Sequence, residues 1–360
     1  MKTNTVINIC FLGCGRISDK HLRAINALTN SGVKLKSVCD LDATKLEKLS
    51  SNNEIYKSIN INDARLLSGV DLAVVATESG AHFKHAKFFL ENDIDVLVEK
   101  PATLTLNDAN ELLMLAQNRG RKVYVVKQNR FNDAVQVAKD IYTSGKIGKL
   151  NIGTVRVRWC RPQSYYDQAN WRGTWALDGG VISNQASHHI DLLQYFMGPV
   201  SKVTAFSKTF GVDIEVEDTL VAVLEFENGA LGTFEATTSV RPRNIEGSIS
   251  LIGSDGFLEI GGFAVNEIVR YETVHDTTST LQHSETRKDS TDVYGDGHLH
   301  VYREILKDRL GHENDAVDLA SSMEALRIIH MMYKSVETNS TIGKQDLGNG
   351  SDRLGCQNDE

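Results

Sequence analysis

The sequence predicts two sheets of different kinds in one chain. A doubly wound parallel α/β sheet comes first, and a mostly antiparallel, open-faced β-sheet follows. Three observations carry this. Up to residue 128, short runs rich in Val, Ile and Leu alternate with helical stretches, the rhythm of strands joined by crossover helices. From residue 150, the runs alternate apolar and polar residues and are joined by tight turns, the rhythm of a sheet covered on one face. A chain of 360 residues also exceeds what one core usually serves. The predicted divisions are a first domain at 1–128, a second at 129–338 and a tail at 339–360. The last helix is allowed to pack back on the first domain, and the Gly, Asn and Asp of the tail predict disorder.

Residues 6–13 (VINICFLG) read as a buried strand ending at Gly13-Cys14-Gly15-Arg16-Ile17-Ser18. A helical pattern follows at 20–28, then a second strand at 33–40 that ends in Asp40. Strand, glycine turn, helix, strand and acid at this spacing make a Rossmann dinucleotide-binding unit. Gly13 permits the tight turn, Gly15 lets the backbone approach a pyrophosphate, and the small Ser18 lets helix and strand pack closely. The helix N-terminus offers unpaired N–H groups to the anion. Asp40 would accept from both ribose hydroxyls and repel a 2′-phosphate, which favours NAD over NADP. The competing reading is a tight turn followed by an exposed Asp. Strands at 72–77, 95–100 and 122–127 continue the alternation, with helices at 81–92 and 107–119. Ligands sit beyond the carboxyl ends of such strands, where Thr77, Glu99, Lys100 and Gln128 fall. The candidate cofactor-binding set is Gly13, Gly15, Arg16, Ile17, Ser18, Asp40, Thr77, His82, Glu99, Lys100 and Gln128. Lys100, before Pro101, faces the crevice, where partial desolvation suits an amine to proton transfer; a surface Lys paired with Glu99 is the plain alternative.

The second half opens with an amphipathic helix at 133–144 and a one-sided strand at 150–159. A loop at 162–180 is rich in Tyr, Trp, Arg and Asp. After a helix to about residue 197, strands are predicted at 203–210, 219–227, 230–238, 247–252, 257–260 and 265–271. Asn228-Gly229 between two of them is a hairpin signal. Residues 273–296 read as a mobile polar loop, and helices follow at 298–310 and 318–337.

Composition narrows the function. The net charge of −8 is spread evenly with no block of Lys or Arg, which argues against nucleic acid as a partner. Cysteines at 10, 14, 39, 160 and 356 are odd in number and form no CxxC pair, the pattern of free thiols in a reducing compartment. No apolar run reaches the ~20 residues that span a bilayer, and no signal core precedes the first strand. The cytoplasm is therefore the expected location, with no membrane partner.

The stretch Gly179-Gly180 followed by NQASHHIDLL at 184–193 carries the other candidate chemistry. As one helix it places Asn184, His188 and Asp191 at i, i+4 and i+7 on a shared face. An amide, an imidazole and a carboxylate there can bind and deprotonate a hydroxyl; the same stripe also reads as a solvated helix face. His188 and His189 project about 100° apart and do not chelate together easily, so no metal is expected from them with Asp191, His298 and His300. Cys14 reads as a small packing residue.

GCGRIS at 13–18, Glu99-Lys100-Pro101 and this helix stretch together resemble the glucose–fructose oxidoreductase, inositol dehydrogenase and MocA family, over residues 5–337. The family's helix pattern is Gly-Gly, then Asp-x-Gly-x-His-x-x-Asp. Here Asn184 replaces the first acid and Ala186 the glycine, while His188 matches the family's catalytic histidine. NQASHHIDLL, with KQNRF at 127–131, WRGTW at 171–175 and the run at 246–266, resembles one branch, the UDP-N-acetyl-2-amino-2-deoxyglucuronate 3-dehydrogenases. The resemblance implies NAD-dependent oxidation of the C3 hydroxyl of a nucleotide sugar, UDP-N-acetylglucosaminuronate, to a 3-keto sugar for surface polysaccharide. It also implies a homotetramer built through the open sheet face. Lys100, His188 and Asp191 are then the expected catalytic residues, with Lys100 and His188 converging on one hydroxyl; which of them takes the proton stays open. An anionic nucleotide sugar calls for Arg161, Tyr165, Tyr166, Arg172, Thr174 and Asn184 as substrate contacts. Trp171 and Trp175 read equally as core residues, and Arg241 and Arg243 as a solvated hairpin tip. Other readings of the same family are another sugar or inositol dehydrogenase, an NAD-dependent glycosidase and a non-catalytic NAD-responsive regulator.

Overall fold

Runs of β-branched residues that are buried on both faces become the strands of the first sheet. The computed structural model describes residues 6–48, 55–262, 264–274 and 297–356; the polar loop expected at 273–296 lies outside them from 275 onward. The strands are β1 (Ile7–Leu12), β2 (Val33–Cys39), β3 (Tyr56–Ser58), β4 (Leu72–Val75), β5 (Asp95–Val98) and β6 (Val123–Val125). All neighbours are parallel, in the order β3-β2-β1-β4-β5-β6. The order reverses between β1 and β4, the point where a ligand crevice opens in such sheets. Helices α1 (Ser18–Ala27), α2 (Ala43–Lys48), α3 (Ala64–Leu67), α4 (His82–Glu91) and α5 (Leu106–Arg119) make the crossovers. The short β3, α2 and α3 escaped the sequence reading because three to six residues carry too little periodicity.

The second sheet is built from β7 (Leu150–Arg158), β8 (Val200–Lys208), β9 (Thr219–Phe226), β10 (Leu231–Thr237), β11 (Glu246–Gly253), β12 (Gly256–Gly261), β13 (Glu267–Thr273) and β14 (Ile342–Gly343). Their order is β13-β12-β11-β7-β10-β9-β8-β14, antiparallel except for β7 beside β10. The Asn228-Gly229 turn joins β9 to β10 as expected, with Gly229 at φ +85°. One face is covered by α6 (Asp133–Thr143) against β12 and β13, and by α8 (Ser187–Met197) against β7 and β11. A Cβ on Gly153 of β7 would lie 2.8 Å from Met197 and 2.9 Å from Leu193, so this glycine sets how closely α8 seats. A single helical turn, α7 (Gln163–Tyr166), precedes α8. The other face is open. It exposes Phe206, Val221, Val223 and Leu231, with Phe206 opposite Val221 in register. Beside them runs a row of alternating charge: Glu235, Arg158, Glu246, Arg156, Glu259 and Arg270.

Contacts divide the chain into two units, 1–103 with 107–126 and 298–322, and 104–106 with 127–297 and 323–360. Helix α9 (Gly297–Arg309) therefore lies almost wholly within the first unit, and α10 (Leu319–Thr338) mostly within the second. The segment between them is fastened to β6, where Val125 N–H donates to the Val317 carbonyl at 2.8 Å. The tail, expected to be disordered, is structured through residue 356. Its glycines outnumber its apolar residues, but Ile342, Leu347 and Leu354 are buried and anchor it. Leu354 has no exposed surface, so Leu354→Ala is expected to cost about 2–5 kcal/mol in urea unfolding. A disordered tail would give no change.

Candidate active site

In the first unit the glycine turn follows β1. Gly13 sits at φ +94°, and a Cβ there would be 2.6 Å from the Ala76 carbonyl group. Gly15 is different: nothing lies within 4 Å of where its Cβ would be. Ile17 is the N-cap of α1 and no side chain caps the helix, so its end is open to an anion. Arg16 is exposed beside it, and Ser18 is buried, its hydroxyl donating to the Gly15 carbonyl at 2.6 Å. Asp40 accepts the N–H groups of Cys14 at 2.7 Å and Asp42 at 2.8 Å, with Lys45 at 3.5 Å. The acid thus ties its own loop to the glycine turn. Burial, then the charge of Asp40, pushes the Cys14 thiol up to about 12, so it is an inert packing residue.

Three residues expected at the cofactor have protein partners of their own. Both ring nitrogens of His82 face backbone carbonyls, Pro101 at 2.7 Å and Thr77 at 3.0 Å, and none is left for a ligand. The Thr77 hydroxyl meets the His85 ring at 3.0 Å. Glu99 is buried among His21 at 2.9 Å and His298 at 3.4 Å. Burial alone would raise its pKa, but the two imidazoles outweigh this and hold it well below the usual carboxylate range. His21 Nε2–H donates to it, while Nδ1 accepts from Tyr302 at 2.8 Å. The ligand atoms of His21, Glu99 and His298 lie within 4.8 Å, a spacing a metal ion would accept, but hydrogen bonds already join Glu99 to both rings. The other Glu99 oxygen accepts the Lys100 N–H at 3.1 Å. Lys100 follows β5, half-buried, with a cis peptide to Pro101.

In the second unit α8 begins at Ser187, with Ala186 as its N-cap. Asn184 therefore stands in the turn before the helix and shares no helical face with His188 and Asp191. Its amide donates to Asp178 at 2.6 Å, and Asp178 also accepts the Gly173 N–H at 2.9 Å. Early helix residues lacking a capping side chain look helical in sequence well before the backbone becomes so. His188 is buried, and Gln128 Nε2 donates to its Nε2 at 2.9 Å. Gln128, expected on the cofactor side, thus belongs structurally with the histidine. Asp191 is fully enclosed: Arg130 grips it with two bonds of 2.8 Å, and Lys127 Nζ lies 3.2 Å away. Burial opposes its ionisation, yet Lys127 and Arg130 hold its pKa at about 2. Asp191 is therefore the internal counter-charge of Lys127 and Arg130. Lys127 and Arg130 are the residues that sequence reasoning passed over; KQNRF was the signal, a basic pair flanking two amides. His189 stands apart from this cluster, edge-on to Trp159 and pushed down to about 4 by burial.

The loop residues form a stack. Arg161 lies 5.1 Å over Trp159 and 5.3 Å over Tyr165; Arg172 lies 4.6 Å over Tyr165 and 4.6 Å over Trp171. Arg172 also donates to the Tyr165 hydroxyl at 2.7 Å, while its Nε is buried with no acceptor. Tyr166, by contrast, is core: its hydroxyl meets Thr238 at 3.1 Å and burial pushes its pKa up to about 12. The Thr174 hydroxyl donates to the Trp171 carbonyl at 2.9 Å. Trp175 packs on Tyr333 at 5.1 Å. Arg241 donates to the backbone carbonyls of Thr238, Val240 and Arg161, so it braces the loop from the hairpin.

Comparison with known proteins agrees with these two halves. The sequence model of the oxidoreductase family, NAD-binding Rossmann fold, matches residues 7–127, and that of the GFO/IDH/MocA C-terminal domain matches residues 135–259. The crystal structure of the WlbA dehydrogenase from Bordetella pertussis, in complex with NADH and UDP-GlcNAcA, is 33% identical with a TM-score of 0.88. The match covers 95% of this chain and 99% of that one. The WlbA dehydrogenase from Chromobacterium violaceum, in the same kind of complex, is 32% identical at TM-score 0.86, covering 95% and 96%. D-glucoside 3-dehydrogenase of Escherichia coli is 25% identical over 67% of this chain and 73% of its own. The curated sequence relatives are matched over 40% to 73% of their own length.

The two glycines of the turn separate folding from binding. Gly13→Ala is expected to cost about 2 kcal/mol or more in urea unfolding, from the left-handed backbone and the carbonyl clash. Gly15→Ala should unfold within about 0.5 kcal/mol of the unchanged protein. It should nonetheless weaken NADH binding at least ~10-fold by fluorescence titration, because a methyl group enters the space left for the pyrophosphate.

Proposed function

Because the chain belongs to the GFO/IDH/MocA family of NAD-dependent sugar oxidoreductases, we propose that it oxidises the C3 hydroxyl of UDP-N-acetylglucosaminuronate to the 3-keto sugar. The observation that carries this reading is the stack of Arg161, Tyr165 and Arg172 between Trp159 and Trp171. It offers guanidinium groups for carboxylate or diphosphate and flat aromatic faces in the same unit as His188, and the buried Arg172 Nε awaits an acceptor. The likeness to two dehydrogenases crystallised with UDP-GlcNAcA supports the same substrate. A 3-keto sugar of this kind is a substrate for amination on the way to surface polysaccharide.

The open turn at Gly15 and the uncapped end of α1 fit the cofactor's pyrophosphate, and Asp40 the adenosine ribose. Bound NAD supplies the hydride acceptor. The protein must orient the hydroxyl and take its proton. We assign the Gln128 amide, 2.9 Å from His188 Nε2, to orienting the imidazole. With that amide donating, His188 carries its proton on Nδ1 and can hold the hydroxyl oxygen as charge develops on it. Lys100 is then assigned as the proton acceptor. Asp191, Lys127 and Arg130 keep α8 and the Gln128 segment in one arrangement. All five cysteines are unpaired, and no helix among the described residues is long and apolar enough to cross a membrane. We accordingly place the enzyme in the cytoplasm.

We also assign the open face of the second sheet to self-association, in a homotetramer. Phe206 is 69% exposed, Val223 56% and Leu231 58%, an apolar patch that a lone chain leaves in water.

Three experiments test these assignments. With NAD and a panel of UDP-sugars, NADH formation is expected with UDP-N-acetylglucosaminuronate and at least ~10-fold less with the sugar lacking the carboxylate, since a charge-assisted pair is worth about 1.5–3 kcal/mol. Lys100→Met should lower kcat by about 10²–10⁴-fold with NADH affinity kept. No turnover with the uronate, even with a keto acid present to reoxidise NADH, would remove the substrate assignment. Separately, Val223→Glu should move the mass measured by light scattering to a smaller assembly; an unchanged tetramer would place the interface elsewhere.

A further inference from the structure

The other deeply buried acids of the second unit have strong donors: Asp191 has Lys127 and Arg130, Asp178 accepts the Gly173 N–H and the Asn184 amide, and Asp218 accepts the N–H groups of Phe210 and Gly211 and the Thr219 hydroxyl. Glu217, the residue two before β9, differs. It is 4% exposed and forms no ion pair among the described residues. Its Oε1 accepts the Tyr333 hydroxyl at 3.0 Å and the Ile182 N–H at 3.2 Å, whereas its Oε2 meets no donor. Its backbone carbonyl accepts the Val181 N–H at 3.1 Å. The Tyr333 oxygen in turn accepts the Gly180 N–H at 2.9 Å. Three consecutive amides, those of Gly180, Val181 and Ile182, are thus held by Glu217 and the tyrosine it engages.

Gly180 is what lets the carboxyl come so close. A Cβ there would lie 1.9 Å from Oε2 and 2.1 Å from the carboxyl carbon. The clamped turn leads directly into α8. Asn184 N–H donates back to the Gly180 carbonyl at 3.0 Å, and Ala186, the N-cap, to the Val181 carbonyl at 2.8 Å. His188 lies in the first turn of that helix.

We propose that Glu217 is a positioning residue that works as a neutral acid, clamping the Gly180–Ile182 turn and so fixing where the helix that carries His188 begins. Ionisation of this one carboxyl strands a charge against the turn and destabilises it. An anion in a buried site without a cation costs several kcal/mol, whereas the neutral acid does not. Of the titratable groups around it, the adjacent Asp218 opposes a negative charge, while the Tyr333 hydroxyl, itself held neutral by burial, donates to the carboxyl. Burial pushes Glu217 up to about 8, with Ile182 and Tyr333 pulling the other way.

The consequence for stability has a definite sign. Between the ordinary carboxyl range and about 8, the folded protein binds a proton that the unfolded chain releases. Stability therefore falls as pH rises through that window, and the loss is complete above it. Glu217→Gln is the isostere of the neutral acid and cannot ionise. Thermal unfolding of the full chain from about pH 5 to about pH 9 should show a midpoint that falls for the unchanged protein and a flatter curve for Glu217→Gln, the two crossing as pH rises. Glu217→Ala should be less stable than either at about pH 6, because the amide clamp is gone. Parallel curves for the unchanged protein and Glu217→Gln would overturn the proposal. An infrared difference spectrum between them at neutral pH supplies a second measurement, which should contain the carbonyl band of a protonated acid; a carboxylate band there would overturn it equally.

The effect on catalysis rests on the reading of His188 given above, and the stability curves do not. With the confirmed substrate, kcat of the unchanged enzyme should fall about tenfold by pH 9, the neutral fraction left to an acid titrating near 8, while Glu217→Gln keeps its rate. A sugar panel without turnover would fail the substrate assignment and leave the clamp to be judged by the unfolding curves alone.

Discussion

The second unit is organised around one buried carboxylate. Asp191 has almost no contact with solvent, yet it stays charged because Arg130 and Lys127 surround it. Desolvating three charges is costly, and the attraction repays it only where geometry is good and every lone pair is used. The two-pronged Arg130 grip, with Lys127 beside it, supplies that geometry. Such a cluster tolerates no slippage, because any shift strands a charge in the core. It therefore fixes the 127–131 segment against α8, and with it the distance at which Gln128 meets His188.

The first unit uses the same device with imidazoles in place of cations. Glu99 joins His21 of α1 to His298 of α9, and Tyr302 of α9 bonds the other nitrogen of His21, so the helix behind the glycine turn, the strand end bearing Lys100 and a helix from the far end of the sequence share one network. Polar networks of this kind are stable only when complete. They also explain why the glycine turn and Lys100, eighty-five residues apart in sequence by the difference between Gly15 and Lys100, keep a fixed relation.

The fold was legible because its signals are local and repeated. Buried strands advertise themselves through Val and Ile, the Gly13-Cys14-Gly15 turn through two residues of one kind, and the Asn228-Gly229 hairpin through its dihedral demand. The candidate site was legible in part. Lys100 and His188 stand in motifs, but the partners that support them are set by packing across long sequence separations. Nothing near Asp191 in sequence says that Arg130 will reach it, and nothing near Gly180 says that a carboxyl thirty-seven residues on will occupy the space its missing side chain leaves. Helical periodicity also misled at Asn184, where a turn imitates the spacing of a helix. The tail misled in the opposite way: three apolar anchors among many small polar residues barely move a composition, yet they suffice to pin a chain.

That tail has a consequence for how the molecule meets its own kind. The open sheet would otherwise end at β8, a nine-residue strand with a free row of backbone donors and acceptors. β14 is two residues long and pairs with Lys202 and Val203 in its first half. It works as a stopper: a second chain cannot zip onto a ladder that is already interrupted. The opposite edge, β13, carries the charged Arg270 and Glu272. Growth by strand addition is discouraged at both sides, which leaves the open face as the surface proposed for a finite self-association.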